Sequence, residues 1–125
     1  MLLLRRSKPF DFWQSVTGCL EPGETHFDAA PRELCEETGM TDEGVLSYSG
    51  INRQYAIDSR WINRFPPGAV ENVEFEWRYR LPRPVDVKLC SDEHSEFIWL
   101  PLDEAIDRVW SWTNKDALRN LKSTL

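Results

Sequence analysis

The sequence is poor in cysteine, short of basic charge and without a long hydrophobic run, and each shortage removes a class of function. Its three cysteines, Cys19, Cys35 and Cys90, are an odd set with no Cys-x-x-Cys spacing, so neither a disulfide framework nor a zinc site is indicated. Fifteen Lys and Arg against 21 Asp and Glu leave a formal net charge of -6. No nucleic-acid partner is expected of such a chain, because those binders neutralise phosphates with clustered basic residues. An acidic protein that handles a phosphorylated substrate needs a divalent cation to mediate the contact. No apolar run approaches the ~20 residues of a spanning helix, and Met1-Leu2-Leu3-Leu4 meets Arg5 and Arg6 at once, unlike a secretory h-region. The expectation is a cytoplasmic protein with no membrane partner. Repeats and low-complexity linkers are missing too.

What is there reads as one domain over residues 1–125. Hydrophobic residues make up 41% of the chain, aromatics 12% and charged residues 29%, a globular profile at a length that suits one core. Leu2 to Leu4 and Trp13 to Thr17 are expected as short strands around the polar turn Ser7-Lys8-Pro9-Phe10-Asp11. Gly18 to Glu24, rich in Gly, Glu and Pro, reads as a loop. Thr25-x-x-Asp28 has the form of a capping box that opens a helix, and Gly39 suits its left-handed close. Val45 to Ile57 and Val73 to Leu81 alternate as strands do, with Pro66-Pro67-Gly68 turning between them, and Phe97 to Leu100 is a short apolar strand. Asp103 is expected to cap a helix through Val109, and Asn114 a last one through Leu121.

The helix after Thr25 carries the chemistry. Glu33, Glu36 and Glu37 stand three and four residues apart, so their carboxylates share one face. Like charges gathered in this way repel unless a cation sits among them. Mg²⁺ takes oxygen ligands, pairing one or two carboxylates with waters and substrate phosphates. Arg32 lies four residues before Glu36 and beside Glu33, where a guanidinium orients a carboxylate through paired hydrogen bonds. Phe27, Ala30 and Leu34 form the opposite, apolar stripe, expected to anchor the helix to a sheet. Pro31 falls past the first turn, where it removes a hydrogen bond at ~3 kcal/mol, so a kink is expected.

A lone Glu-x-x-Glu-Glu is usually a solvated face. Here it belongs to a longer pattern: Gly18, five residues, Glu24, seven residues, then Arg32-Glu33-Leu34-x-Glu36-Glu37-x-Gly39-Met40. At average compositions, a chance match at one starting point is on the order of 10⁻⁹ to 10⁻¹⁰. The pattern resembles the catalytic motif of the Nudix hydrolases at all nine specified positions. Further runs extend the likeness along nearly the whole chain: Asp11 to Gly18, Phe65-Pro66-Pro67-Gly68, Asp92-Glu93-His94 followed by Trp99-Leu100, and Trp110 to Asn114. With them the chain resembles the bacterial dihydroneopterin triphosphate pyrophosphatases within that superfamily.

The resemblance implies an α/β/α sandwich around a mixed β-sheet, dependence on Mg²⁺ with Mn²⁺ as the alternative, and a small nucleotide-like triphosphate substrate in folate biosynthesis. By position, Glu33, Glu37 and Glu93 match metal ligands, and the Gly18 carbonyl and Glu36 reach metal elsewhere in the superfamily. Glu24 helps to hold the loop. Arg5, Thr17 and Ser111 fall on substrate-contacting positions. Water would attack a phosphorus of the triphosphate, releasing pyrophosphate, with Glu36 and Glu93 both candidates for the general base. Tyr55, Trp61, Trp13 and Trp112 are candidates to stack on the pterin, against the alternative that tryptophans build the core. Arg53, Arg60 and Arg64 either steer the triphosphate or form a solvated face. Two competing functions remain: a Nudix hydrolase of another nucleoside triphosphate or dinucleoside polyphosphate, and an inactive binding module. The resemblance also implies that the usual first strand is lacking, so that the strand at Leu2 to Leu4 is expected to lose a partner.

Overall fold

The computed structural model describes residues 1–90 and 92–125. Its elements run β1 (Leu2–Arg6), β2 (Phe12–Gln14), α1 (His26–Thr38), β3 (Val45–Ala56), a 3₁₀ segment (Ser59–Arg64), β4 (Glu71–Arg80), β5 (His94–Trp99), α2 (Leu102–Arg108) and α3 (Trp112–Ser123).

Local sequence explains α1 at both ends. The Thr25 hydroxyl accepts from the Asp28 N–H at 3.3 Å, and the Asp28 carboxylate accepts from the Thr25 N–H at 3.4 Å. This reciprocal box satisfies two N–H groups that a helix start otherwise leaves bare, an effect of about 1 kcal/mol per cap. Gly39, at φ 75°, closes the helix with its N–H bonded to the Cys35 carbonyl at 2.8 Å, in the left-handed region where only a residue without Cβ is unstrained. Pro31 is exposed and the helix runs through it to Thr38. The proline therefore does not end the helix.

Alternation along β1 builds the core on both faces of a three-stranded sheet, order β2-β1-β5. Leu2 and Leu4 point to one side, packing with Leu34 of α1, Met40 and Val87. Leu3 points to the other, packing with Ala105 and Ile106 of α2, Val109 and Leu118 of α3. Helices thus cover the two faces, and the architecture is the α/β/α sandwich. Each fully buried leucine contributes roughly 1.5–3 kcal/mol.

β1 does not lack a partner. It is hydrogen-bonded to β2 on one side and β5 on the other. The second sheet is the β3–β4 ribbon, and among the described residues no strand pair joins it to the first. Every named pair is antiparallel, and the parallel component of the mixed sheet is the isolated bridge between Trp13 and Val109.

Three expectations change. Asp103 does not cap α2, whose N-cap is Pro101 without a side-chain bond; it sits in the first turn and pairs with Lys122 at 2.5 Å. The cap of α3 is Ser111, not Asn114: the Ser111 hydroxyl accepts from the Asn114 N–H at 3.2 Å. Asn114 instead grips Ser15, accepting from its N–H at 2.9 Å and donating to its hydroxyl at 2.8 Å. Phe27 is 59% exposed, and joins His26, Tyr48 and Trp77 in a surface aromatic cluster rather than the sheet core. Among the described residues no helix is long and apolar enough to cross a membrane.

Candidate active site

The loop from Gly18 to Glu24 is clamped onto α1 by one guanidinium. Arg32 donates to both oxygens of Glu24 at 2.7 Å, to the Cys19 carbonyl at 3.0 Å, to Glu33 at 2.9 Å and to Glu36 at 3.1 Å. Planar fork geometry suits Arg to this paired contact. The Arg32 hydrogen bond holds the Glu24 carboxyl at about 2, well below the usual range, with the backbone bond at Glu21 assisting. Gly18 lies so close to Glu33 that a Cβ there would overlap its carboxyl group. A side chain at position 18 would therefore displace the Glu33 carboxylate from its place beside Arg32.

Behind the loop, charge is concentrated where water is scarce. Glu37 is 3% exposed and accepts from the Thr17 N–H at 3.1 Å. Burial, and after it the nearby Glu33, pushes its carboxyl up to about 8. Burial likewise raises Glu33, opposed by Arg32. Across from them, the turn before β5 returns the N–H groups of Glu93 and His94 to the Cys90 carbonyl at 3.2 and 3.0 Å. One ligand atom each from Glu37, Glu93 and His94 lies within 4.8 Å of the others. His94 is 1% exposed; its Nε2 faces the side-chain amide of Gln14 at 3.1 Å, while its Nδ1 has no hydrogen-bond partner among the described residues. Buried carboxyls that favour protonation in isolation, beside an unsatisfied imidazole nitrogen, fit a divalent cation, whose charge would restore the ionised form.

The structure brings together Glu33, Glu37, Glu93, Gly18 and Thr17, with Arg32 and Glu24 holding the loop. Glu36 is bonded to Arg32 on the exposed rim. Tyr55, half-buried on β3, accepts from the Asn72 amide at 3.0 Å, and Glu74 and Cys19 are among the charges that raise its phenol after burial.

Two expected substrate contacts are not brought to the cluster. Arg5 shares the Leu3 face of β1, turned away from α1, and is spent on Glu96 at 2.6 Å and Asp11 at 3.3 Å. The Ser111 hydroxyl is committed to the α3 cap. The rings divide as well. Trp13 packs with the Leu3 cluster, Trp61 meets Phe10, Phe12 and Trp110, and Trp112 is exposed. Arg53 is bound to Glu76 and Asp116, and Arg60 to Asp58.

Sequence reasoning missed Arg6, Gln14 and His94. Arg6 is buried on the Leu4 side of β1, its Nε donating to the Lys8 carbonyl at 2.9 Å, and it senses the charges of Arg64, Glu93 and Glu37. The period of two along Leu2, Leu4 and Arg6 was the available signal. His94 directly follows Glu93 and opens β5.

The NUDIX domain family matches residues 1–121. The chain is 35% identical to the dihydroneopterin triphosphate diphosphatase of Escherichia coli K12 over 121 residues, 94% of this chain and 79% of that one. It is 31% identical to an asymmetrical bis(5'-nucleosyl)-tetraphosphatase of Caenorhabditis elegans over 105 residues, 84% of this chain and 70% of that one. Its fold superposes on the E. coli dihydroneopterin triphosphate pyrophosphohydrolase with a TM-score of 0.88 at 33% identity, covering 95% and 82% of the two chains. A C. elegans Ap4A hydrolase complex gives 0.76 at 27% identity, covering 98% and 83%. With the motif, the fold and these relatives in agreement, the chain belongs to the Nudix family and is a hydrolase acting on phosphoanhydride bonds.

Proposed function

We propose that this chain, acting as one domain over residues 1–125, hydrolyses dihydroneopterin triphosphate to the monophosphate and pyrophosphate with Mg²⁺, or Mn²⁺ in its place. The observation that carries the reading is the meeting of Glu93 with Glu37 behind the Gly18 to Glu24 loop, in a chain similar over 94% of its length to a diphosphatase of that name.

Glu33, Glu37, Glu93 and the Gly18 carbonyl would hold the cation. A divalent cation at such a place lowers the pKa of water and offsets charge on phosphate oxygens. The chain's own residues supply geometry. Arg32 and Glu24 fix the loop, so that the Gly18 carbonyl and the α1 carboxylates keep one spacing. Glu93 takes the proton of the attacking water, because its oxygen lies in the cluster, whereas Glu36 lies on the rim and is bonded to Arg32. Arg6 and Arg64 offset charge on the triphosphate as it is cleaved. Thr17 orients Glu37 through its N–H, and Tyr55 offers a flat ring beside the loop for the pterin.

A dinucleoside polyphosphate substrate is the second reading, supported by the similarity to the C. elegans tetraphosphatase. Chromatographic product analysis decides between them. The purified chain with Mg²⁺ is expected to turn over the pterin faster than any nucleoside triphosphate or diadenosine tetraphosphate, giving monophosphate plus pyrophosphate. Preference for a nucleotide would discard the pterin, and a folded, cation-binding chain that turned over none of them would be the inactive binding module.

A further inference from the structure

We infer that His94 is itself a ligand of the divalent cation, through Nδ1, and that Gln14 fixes its ring for that role. The inference rests on the metal-dependent reading above and deepens it, from an all-oxygen site to a mixed oxygen and nitrogen one.

Three observations converge. A ligand atom of His94 lies within 4.8 Å of those of Glu37 and Glu93. His94 is 1% exposed, and its Nδ1 is the buried side-chain polar atom left without a hydrogen-bond partner among the described residues. A buried polar atom left unsatisfied is destabilising, so its survival calls for a ligand that supplies the missing interaction. Third, the opposite nitrogen is already engaged: Nε2 stands 3.1 Å from the Gln14 side-chain amide. With that amide turned so that its oxygen faces the ring, Nε2–H donates to it and the lone pair is left on Nδ1. Exchanging amide oxygen and nitrogen needs no movement of other atoms. Ligating histidines characteristically donate their second N–H to an oxygen, which sets tautomer and ring plane. Gln14 at the end of β2 is placed for that task and acts as a positioning residue.

The chemical consequence is selectivity. Carboxylate and carbonyl oxygens suit Mg²⁺, while an imidazole raises affinity for transition-metal ions in the Irving–Williams order. The chain is expected to bind Mn²⁺ and Co²⁺ more tightly than an all-carboxylate site would, with Mg²⁺ gaining least.

Pulsed EPR of Mn²⁺ bound to the unmutated chain tests this without reference to turnover. The chain has two histidines, and His26 accepts from Trp77 Nε1 at 3.0 Å and stacks on Phe75 in the surface aromatic cluster. An imidazole ¹⁴N coupling is expected. It should change on ¹⁵N-histidine labelling, persist in His26→Gln and vanish in His94→Gln. Calorimetry of His94→Gln should show Mn²⁺ affinity falling about tenfold or more while Mg²⁺ affinity changes less. Bound Mn²⁺ without imidazole coupling in the unmutated chain would overturn the assignment of His94 and leave the hydrolase reading standing. A folded chain that bound no Mn²⁺ at all would overturn both. The labelled chain together with His26→Gln settles the question even if His94→Gln does not fold.

Discussion

The two faces of β1 do different work. Leu3 and Arg5 look towards α2 and α3, into an apolar cluster finished by a solvent-side ion pair. Leu2, Leu4 and Arg6 look towards α1, where the core ends in Glu37, Glu93, His94 and a buried guanidinium. One face stabilises and the other gives up stability for chemistry, because burying like charges without a cation is unfavourable. Residues one position apart on a strand therefore differ in consequence more than residues thirty apart that share a face.

Breaking that contrast is easiest at Glu37. Glu37→Gln removes one buried charge and should lower kcat by about 10²–10³-fold, the scale of several kcal/mol lost in charge stabilisation. Stability without metal should hold or rise, since the buried carboxyl was a burden; steady-state rates and a thermal melt in chelator check both halves. On the opposite face, Leu3→Ala should cost about 2–5 kcal/mol in a urea titration while leaving kcat per folded molecule unchanged. Arg6→Ala should raise KM or lower kcat roughly tenfold through lost phosphate contact, judged against the rates of the unmutated chain.

The loop clamp responds to acid. The folded pKa of Glu24, about 2, lies below its ordinary 4.5. Its contribution is present above pH 4.5 and is lost as pH falls towards 2. Hydrogen exchange of the Gly18 to Glu24 amides should quicken across that window, once corrected for intrinsic rates, and Glu24→Gln should show the quicker exchange already at neutral pH. The smallest effect is expected of Arg5→Ala: its pairs with Glu96 and Asp11 are exposed and screened by solvent, so little or no change in stability and none in turnover. A marked KM effect there would return Arg5 to the substrate and undo the two-face division.

Much was legible along the chain because it depends on near neighbours. The box of Thr25 and Asp28, the left-handed Gly39 and the shared face of Glu33 and Glu37 all follow from spacings of three and four residues. Where several local solutions compete, reading fails. Ser111 and Asn114 are both good helix caps, and only the position of Ser15, just after β2, draws Asn114 away and leaves the cap to Ser111. Phe27 matches an apolar stripe, yet His26, Tyr48 and Trp77 hold it at the surface.

By itself the sequence determined the helix, its caps, the loop before it and the order of acids along it, since these are set by bonds within a turn or two. Tertiary structure alone decided that Glu93 and His94 meet Glu37 across more than fifty residues, that Gln14 faces His94, and that Arg6 rather than Arg5 lies on the acid side. Those outcomes depend on strand register and on which face each strand turns inward, and a shift of a single residue would reverse every one of them.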